Sequence, residues 1–488
     1  MDMHQVLKNT VQKFPNKTFI IFKNKEFTYS HFYDQVTKLI SGLSDLGIKK
    51  GDRVSIFLGN QMEFIFTYFA TLALGAIFVP INASYKENEL NHILTDVKPK
   101  IIITTNRQIQ NIISKLVFKP EFISSIDQSS NKEVIDFKKL FINKKIFLDE
   151  NNDKDIATII YTSGTTGKAK GSMLMHINFL SNAEALVTSW KWTATDRILL
   201  SIPIFHQHGL GVVLNGTVYI GSSIVMLERF NQHDVLNNIS KYRCNVFMGV
   251  PTMYQRLLNI DNPKSYDLNH MRLFVSGSGP LSEKTFYDFK DKFGFEILER
   301  YGLTETIMNT SNPYNHRKPG TVGKPLPGIN VKINISYDQN DTKKTGEILI
   351  KGPNVMKGYW GKKSDTNKVL VDEWFHTGDI GYFDDENMLH IVGRKREMIN
   401  TAGFKVYPRE VEELLENHPN ISEGAILGIE DIDKGEIVKA YIVKEKNKAI
   451  TEKQIIEYCK DKISSFKIPK EIVFISHMPR TASGKIIK

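Results

Sequence analysis

Five consecutive hydroxyl or glycine residues, Ser163, Gly164, Thr165, Thr166 and Gly167, stand between Thr162 and the lysines Lys168 and Lys170. Small residues let backbone N–H groups turn toward one anion, and the two ammonium groups add positive charge beside it. That combination suits the phosphates of a nucleotide. A Walker A loop is excluded by spacing, because it needs four residues between its glycines and Ser or Thr after the lysine. Here only Thr165 and Thr166 separate Gly164 from Gly167, and Ala169 follows Lys168. Taken alone, the segment is also compatible with a surface turn rich in small polar residues.

Such a loop needs rigid elements on either side. It follows the mostly apolar run 156–160 and precedes helical spacing over 176–190. Short β-rich runs at 54–58, 76–81, 100–104, 156–161, 273–275 and 296–298 read as buried strands. Between them lie amphipathic stretches such as 281–293, with Phe286, Phe289 and Phe293 at helical spacing. This alternation predicts an α/β architecture with largely parallel sheets. Residues 329–335 and 347–351 suggest a later, more β-rich section, and residues 104–153 are the least regular and expected to be peripheral. Gly393-Arg-Lys-Arg-Glu397 marks the candidate boundary between an N-terminal domain, 1–394, and a small α+β domain, 395–488. The latter has a helix over 408–417, strands at 424–428 and 438–443, and a helix over 451–463 opening with the capping box Thr451-x-x-Gln454.

Composition bounds the function. The chain has 488 residues, enough for two or more domains, and 41% apolar and 24% charged content, ordinary for a soluble globular protein. The formal charge of +10 is spread along the chain without a dense basic block, so a solvated surface is expected rather than a nucleic-acid stripe. Cys244 and Cys459 are too few for a disulfide framework, and Cys459 shares an apolar helix face with Ile455, Ile456 and Ile463. The N-terminal residues lack a secretory apolar region, and residues 64–74 are too short to span a membrane and fit a buried helix ending at Gly75. Lys485-Ile-Ile-Lys488 is not a peroxisomal tripeptide. A cytoplasmic protein without a membrane span, monomeric or homodimeric, is the expectation.

Seven further motifs follow the loop: Pro203-Ile-Phe-His-Gln-His-Gly-Leu210, Val275-Ser-Gly-Ser-Gly-Pro-Leu281, Glu299-Arg-Tyr-Gly-Leu-Thr-Glu-Thr306, Gly320-Thr-Val-Gly-Lys-Pro-Leu-Pro-Gly328, Trp374-Phe-His-Thr-Gly-Asp379, Gly393-Arg-Lys-Arg-Glu397 and Pro479-Arg-Thr-Ala-Ser-Gly-Lys485. In order and spacing they resemble the adenylate-forming superfamily of acyl-CoA synthetases, luciferases and peptide-synthetase adenylation domains, over nearly the whole chain. The resemblance implies a large multi-sheet N-terminal domain and a small mobile C-terminal one. It also implies two steps: a carboxylate attacks the α-phosphate of ATP to give an acyl-AMP and pyrophosphate, then a thiol displaces AMP. ATP, Mg2+, coenzyme A and a small carboxylic acid are the implied partners.

By the same resemblance, Thr162, loop 163–167 and Lys170 would hold the phosphates, with Thr165 near the metal. Thr304 would bond the α-phosphate and Glu305 would ligate Mg2+, for which a carboxylate oxygen is the expected donor. Tyr301 and turn 277–279, with Ser278 and Gly279, would flank adenine. Asp379 would take the ribose hydroxyls beside Arg394. Lys485 would bridge the attacking carboxylate and the α-phosphate, Arg396 would be the hinge, and Gly403 would line the pantetheine tunnel. The family often has two glycines there, where this chain has Ala402-Gly403. His206 matches the gate histidine of the acyl pocket, and His208 reads as a neutral packed imidazole; no third ligand at recognisable spacing makes zinc of this pair.

The resemblance implies that Ser276, Gln207 and Arg300 would face the acyl pocket. A monocarboxylic acid gives a buried guanidinium nothing to pair with, whereas a second carboxylate would satisfy it. The surroundings of Arg300, together with Phe247-Met-Gly-Val-Pro-Thr-Met-Tyr254 and Lys351-Gly-Pro-Asn-Val-Met-Lys-Gly-Tyr-Trp360, resemble malonyl-CoA synthetases. Gln207 and Leu303 depart from that pattern, which commonly has Thr or Val and Met. Malonate or methylmalonate is therefore expected. A medium-chain or aromatic acid is the alternative, with Arg300 then in a structural ion pair. A peptide-synthetase enzyme would carry an Asp near the His206 motif, and 203–210 has none.

Overall fold

The computed structural model describes residues 1–162, 169–335, 344–401, 404–432, 434–460, 462–480 and 486–487. Two large sheets carry the N-terminal part. In the first, of nine strands, Thr18–Phe22, Ser223–Met226, Arg197–Leu200, Val246–Gly249, Leu273–Ser276 and Ile297–Tyr301 form a contiguous parallel array. Strands covered on both faces read as unbroken apolar runs, as these do. In Ile297–Tyr301 all five residues are buried, Glu299 and Arg300 included.

The second sheet has eight strands, with Arg53–Ile56, Ile77–Pro80, Ile101–Thr104 and Ile156–Thr162 at its centre. The helix Met62–Ala73 is buried on nearly every side, as its apolar composition requires. It stops where Gly75 takes a φ of +65°, a conformation that ends helices and costs glycine little. Residues 104–153 are more ordered than expected, because Phe122–Ser125 and, at the edge, Val134–Asp136 extend this sheet as parallel strands. Phe122-Ile-Ser-Ser125 and Val134-Ile-Asp136 are not unbroken apolar runs and are only partly buried, which is why the sequence hid them.

A third, five-stranded antiparallel sheet contains Asn330–Ile335, Gly346–Lys351, Trp374–Phe383 and Leu389–Arg394. Beyond it lies a separate C-terminal domain, whose own core runs from Ile399 to Phe474 and includes Cys459. There Pro408–Glu416 and Glu452–Lys460 pack beside the paired strands Ile421–Asp431 and Gly435–Lys444. Thr451 and Gln454 make the reciprocal capping bonds expected of them, 2.9 Å from Thr451 N–H to Gln454 Oε1 and 3.4 Å in return. Among the described residues no helix is long and apolar enough to cross a membrane.

Candidate active site

The first sheet ends its parallel strands at a cleft of about 1990 Å³, closed on the far side by Lys395, Glu423, Arg480 and Ile487 near or within the C-terminal domain. Thr162, Lys170, His206 and Gln207 line it, as do Ser278, Arg300, Thr304, Glu305 and Arg394. Ser276, Gly279, Tyr301, Asp379 and Arg396 lie outside that lining. Ser163, Gly164, Thr165, Thr166, Gly167, Gly403 and Lys485 lie outside the described residues.

Thr162 and Lys170 face each other as the last register pair of the antiparallel strands Ile156–Thr162 and Lys170–Met175, so the two residues that flank the Ser/Gly/Thr motif are held together. Lys170 Nζ pairs with Asp365 Oδ2 at 2.9 Å. At the other end of the cleft, three residues from separate motifs meet. Tyr301 OH donates to Asp379 Oδ2 at 2.6 Å, and Arg394 Nε lies 3.1 Å from Asp379 Oδ1. Burial, then the Asp379 carboxylate, pushes the Tyr301 phenol well above its usual range, so it remains a donor.

Thr304 and Glu305 sit in the short connection after Ile297–Tyr301. Two backbone features hold its shape. A Cβ on Gly302 would fall 2.0 Å from the Ile307 carbonyl oxygen, and Ile307 itself has a φ of +56°, costly for a β-branched side chain. Glu305 Oε1 accepts from Tyr359 OH at 2.9 Å, and its backbone carbonyl accepts from Met356 N–H at 2.8 Å.

The histidine motif enters a π-helical segment, His208–Leu214, a distortion that often marks functional sites. Gln207 Nε2 reaches the Thr304 carbonyl at 3.5 Å, and His208 Nδ1 lies 3.5 Å from Ser278 Oγ. Burial, then Arg300 and His206, holds His208 well below its ordinary pKa, so the imidazole is neutral, as expected.

Arg300 is 4% exposed, and its Nε and Nη2 are buried without a hydrogen-bond partner among the described residues. Burial pushes its pKa down to about 9, which leaves it cationic at neutral pH. Its guanidinium lies against Gly277, where a Cβ would approach Cζ to 2.3 Å. Gly277 is therefore small because of Arg300, a cause not visible in the motif. Gln207 Oε1 and His208 Nε2, which line the cleft with Arg300, are also buried without partners among the described residues. Buried polar groups are rarely left unmatched, and a cluster of them facing a cleft describes a polar ligand's place. The adjacent Glu299 does not neutralise the cation by direct pairing. Its Oε1 accepts from Leu281 N–H at 3.0 Å, and burial pushes its pKa up to about 8.

Two contributors had no role assigned from sequence. Tyr359 lay in a motif noted only for its resemblance, and Asp365 carried no local signal. Arg396, the expected hinge, is half-exposed and 3.6 Å from Glu397.

Comparison with known proteins agrees with this geometry. Residues 7–360 match the AMP-binding enzyme family and residues 410–485 the AMP-binding enzyme C-terminal domain. The chain is 32% identical to a long-chain-fatty-acid–CoA ligase of Bacillus subtilis (strain 168), over all of this chain and 93% of that one. It is 32% identical to an oxalate–CoA ligase of Arabidopsis thaliana, over 99% and 96% of the two chains. The crystal structure of ATP-bound MatB from Rhodopseudomonas palustris superposes with a TM-score of 0.91 at 33% identity, over 100% of this chain and 97% of that one. The chain belongs to the AMP-binding enzyme family and is an AMP-forming acid–CoA ligase.

Proposed function

We propose that the acid is a small dicarboxylate, malonate or a close C2-substituted malonate such as methylmalonate. The observation that carries this is the Arg300 guanidinium, buried at the cleft with Nε and Nη2 unmatched. Those two nitrogens form one edge of the guanidinium, the edge that binds a carboxylate with two parallel hydrogen bonds. An unpaired buried charge costs several kcal/mol, and a distal carboxylate removes that cost where an alkyl chain or aromatic ring would not. Gln207, on the cleft lining with Arg300, supplies a further polar contact for it, whereas Ser276, expected there from sequence, lies outside that lining. A relative named for oxalate, itself a dicarboxylate, is in keeping with this substrate class.

In the first step an oxygen of the proximal carboxylate attacks the α-phosphorus of ATP, and the bond to the bridging oxygen breaks to release pyrophosphate. In the second, the CoA thiolate attacks the acyl carbonyl carbon and AMP leaves. Both partners of the first step are anions, so charge neutralisation and alignment dominate. Thr162, loop 163–167 and Lys170 take the β- and γ-phosphates, and Thr304 the α-phosphate. Asp379, held between Tyr301 and Arg394, takes the ribose; Ser278 and Gly279 border the base. His206 orders the acyl carboxylate, and Lys485 bridges it to the α-phosphate. Glu305, a hard carboxylate on the cleft wall, with Thr165, suits Mg2+, which neutralises phosphate charge when bound. Residues 395–488 then re-orient about Arg396 to bring Gly403 to the pantetheine arm.

AMP release with ATP, Mg2+ and CoA, compared across malonate, methylmalonate, acetate, octanoate and benzoate on wild type and Arg300→Ala, tests this. Malonate turnover that collapses in the variant is expected. A wild-type preference for a monocarboxylate, kept by the variant, would refute it.

A further inference from the structure

One short segment ties the strand leaving the phosphate loop to the carboxylate expected at the metal. Gly358–Tyr359 pairs antiparallel with Lys170–Met175, with Gly358 opposite Met173 and Tyr359 opposite Ser172. The pairing continues on both sides, from Lys357 N–H to the Met173 carbonyl at 2.9 Å and from Trp360 N–H to the Gly171 carbonyl at 2.8 Å. The same segment grips Glu305 twice, through Met356 N–H on its carbonyl and Tyr359 OH on Oε1. Lys170 Nζ lies 5.4 Å from the centre of the Tyr359 ring and pairs with Asp365, while Tyr359 N–H donates to Thr366 Oγ1 at 2.9 Å.

We propose that Tyr359 is a positioning residue that fixes the orientation of the Glu305 carboxylate for the metal and couples it to the phosphate-loop strand. The proposal rests on the assignment of Glu305 as a metal ligand. Tyr359 is buried, and its hydroxyl donates to the Glu305 carboxylate, which as an ionised group can only accept. An ionised carboxylate offers about four lone-pair sites, so the hydrogen bond from Tyr359 does not by itself block a cation. Partners of this kind set the orientation and basicity of a ligand, and losing one typically costs 10–100-fold in metal affinity. A tyrosine present only for packing would be replaced by phenylalanine without consequence for the metal.

The test is Tyr359→Phe, with Glu305→Gln as reference. Mn2+ binding to the enzyme–ATP complex is titrated by electron paramagnetic resonance, alongside thermal unfolding and the Mg2+ dependence of ATP–pyrophosphate exchange. Tyr359→Phe is expected to weaken Mn2+ binding by roughly 10-fold and to raise the Mg2+ needed for half-maximal exchange by a similar factor. Its unfolding temperature and its KM for the acid should stay as in wild type. If Glu305→Gln weakens Mn2+ binding and Tyr359→Phe does not, the positioning role is overturned. If Glu305→Gln itself leaves Mn2+ binding unchanged, the metal assignment of Glu305 falls, and the coupling with it.

Discussion

Asp379 and Arg394 stand directly opposite each other in adjacent antiparallel strands, with Arg394 Nε 3.1 Å from Asp379 Oδ1. The second carboxylate oxygen of Asp379 is taken by Tyr301, which belongs to a different sheet. This carboxylate therefore joins the two layers at the edge of the cleft, and a nucleotide ribose must share it with both.

Asp379→Asn removes the charge while keeping the shape. A hydrogen bond to a charged group contributes about 1.5–3 kcal/mol, so KM for ATP should rise by roughly 10- to 100-fold. KM for the acid should change little. Initial rates of pyrophosphate exchange with each substrate varied in turn separate the two effects.

Gly277→Ala places a methyl 2.3 Å from the Arg300 Cζ. The obstruction is the far end of a long side chain, so the fold should tolerate it by moving the guanidinium. A displacement of about 1 Å at a substrate clamp can cost roughly 100-fold in rate. Malonate turnover should fall by that order with unchanged thermal stability; full malonate activity would mean that the guanidinium position is immaterial.

Lys485→Ala should lower adenylation by roughly two to three orders of magnitude, the usual effect of losing one charge-stabilising group. Thioester formation from preformed acyl-AMP should be spared, because the role proposed for the lysine is confined to the first step. Single-turnover assays of each half-reaction decide this. Equal loss of both would contradict a division of labour between two poses.

Glu299 gives a pH signature. Its folded pKa, pushed up to about 8 by burial, exceeds the unfolded value, so the native state holds a proton the unfolded chain has lost. That contribution is complete below the unfolded pKa, about 4.3, and is lost as pH rises through about 8. Glu299→Gln keeps an acceptor for Leu281 N–H and cannot ionise. Wild type should therefore lose thermal stability relative to this variant between about pH 5 and about pH 9. Parallel melting curves across that range would show that Glu299 does not titrate there.

The fold was legible wherever local chemistry decides it. The apolar runs later found as Ile101–Thr104 and Leu273–Ser276 announce strands buried on both faces, and the Thr451–Gln454 capping box starts its helix because both bonds are made within four residues. The outer strands Phe122–Ser125 and Val134–Asp136 were not legible, since they carry no unbroken apolar run and their pairing comes from a sheet assembled elsewhere in the chain.

The same division holds for the site. By itself, the sequence singled out Thr304, Glu305 and Arg394, which line the cleft, and Asp379, which lies just outside its lining, because residue types and their order are one-dimensional information. It also placed a cation at Arg300, and burial of the whole Ile297–Tyr301 strand follows from its setting among apolar runs. Only the tertiary structure decided what each group faces: that Asp379 is shared by Tyr301 and Arg394, that Gly277 makes room for Arg300, and that Tyr359 holds Glu305. These partners lie tens of residues apart in the chain. A hydrogen bond or a buried charge depends on distances of about 3 Å between them, which packing sets and spacing along the chain does not.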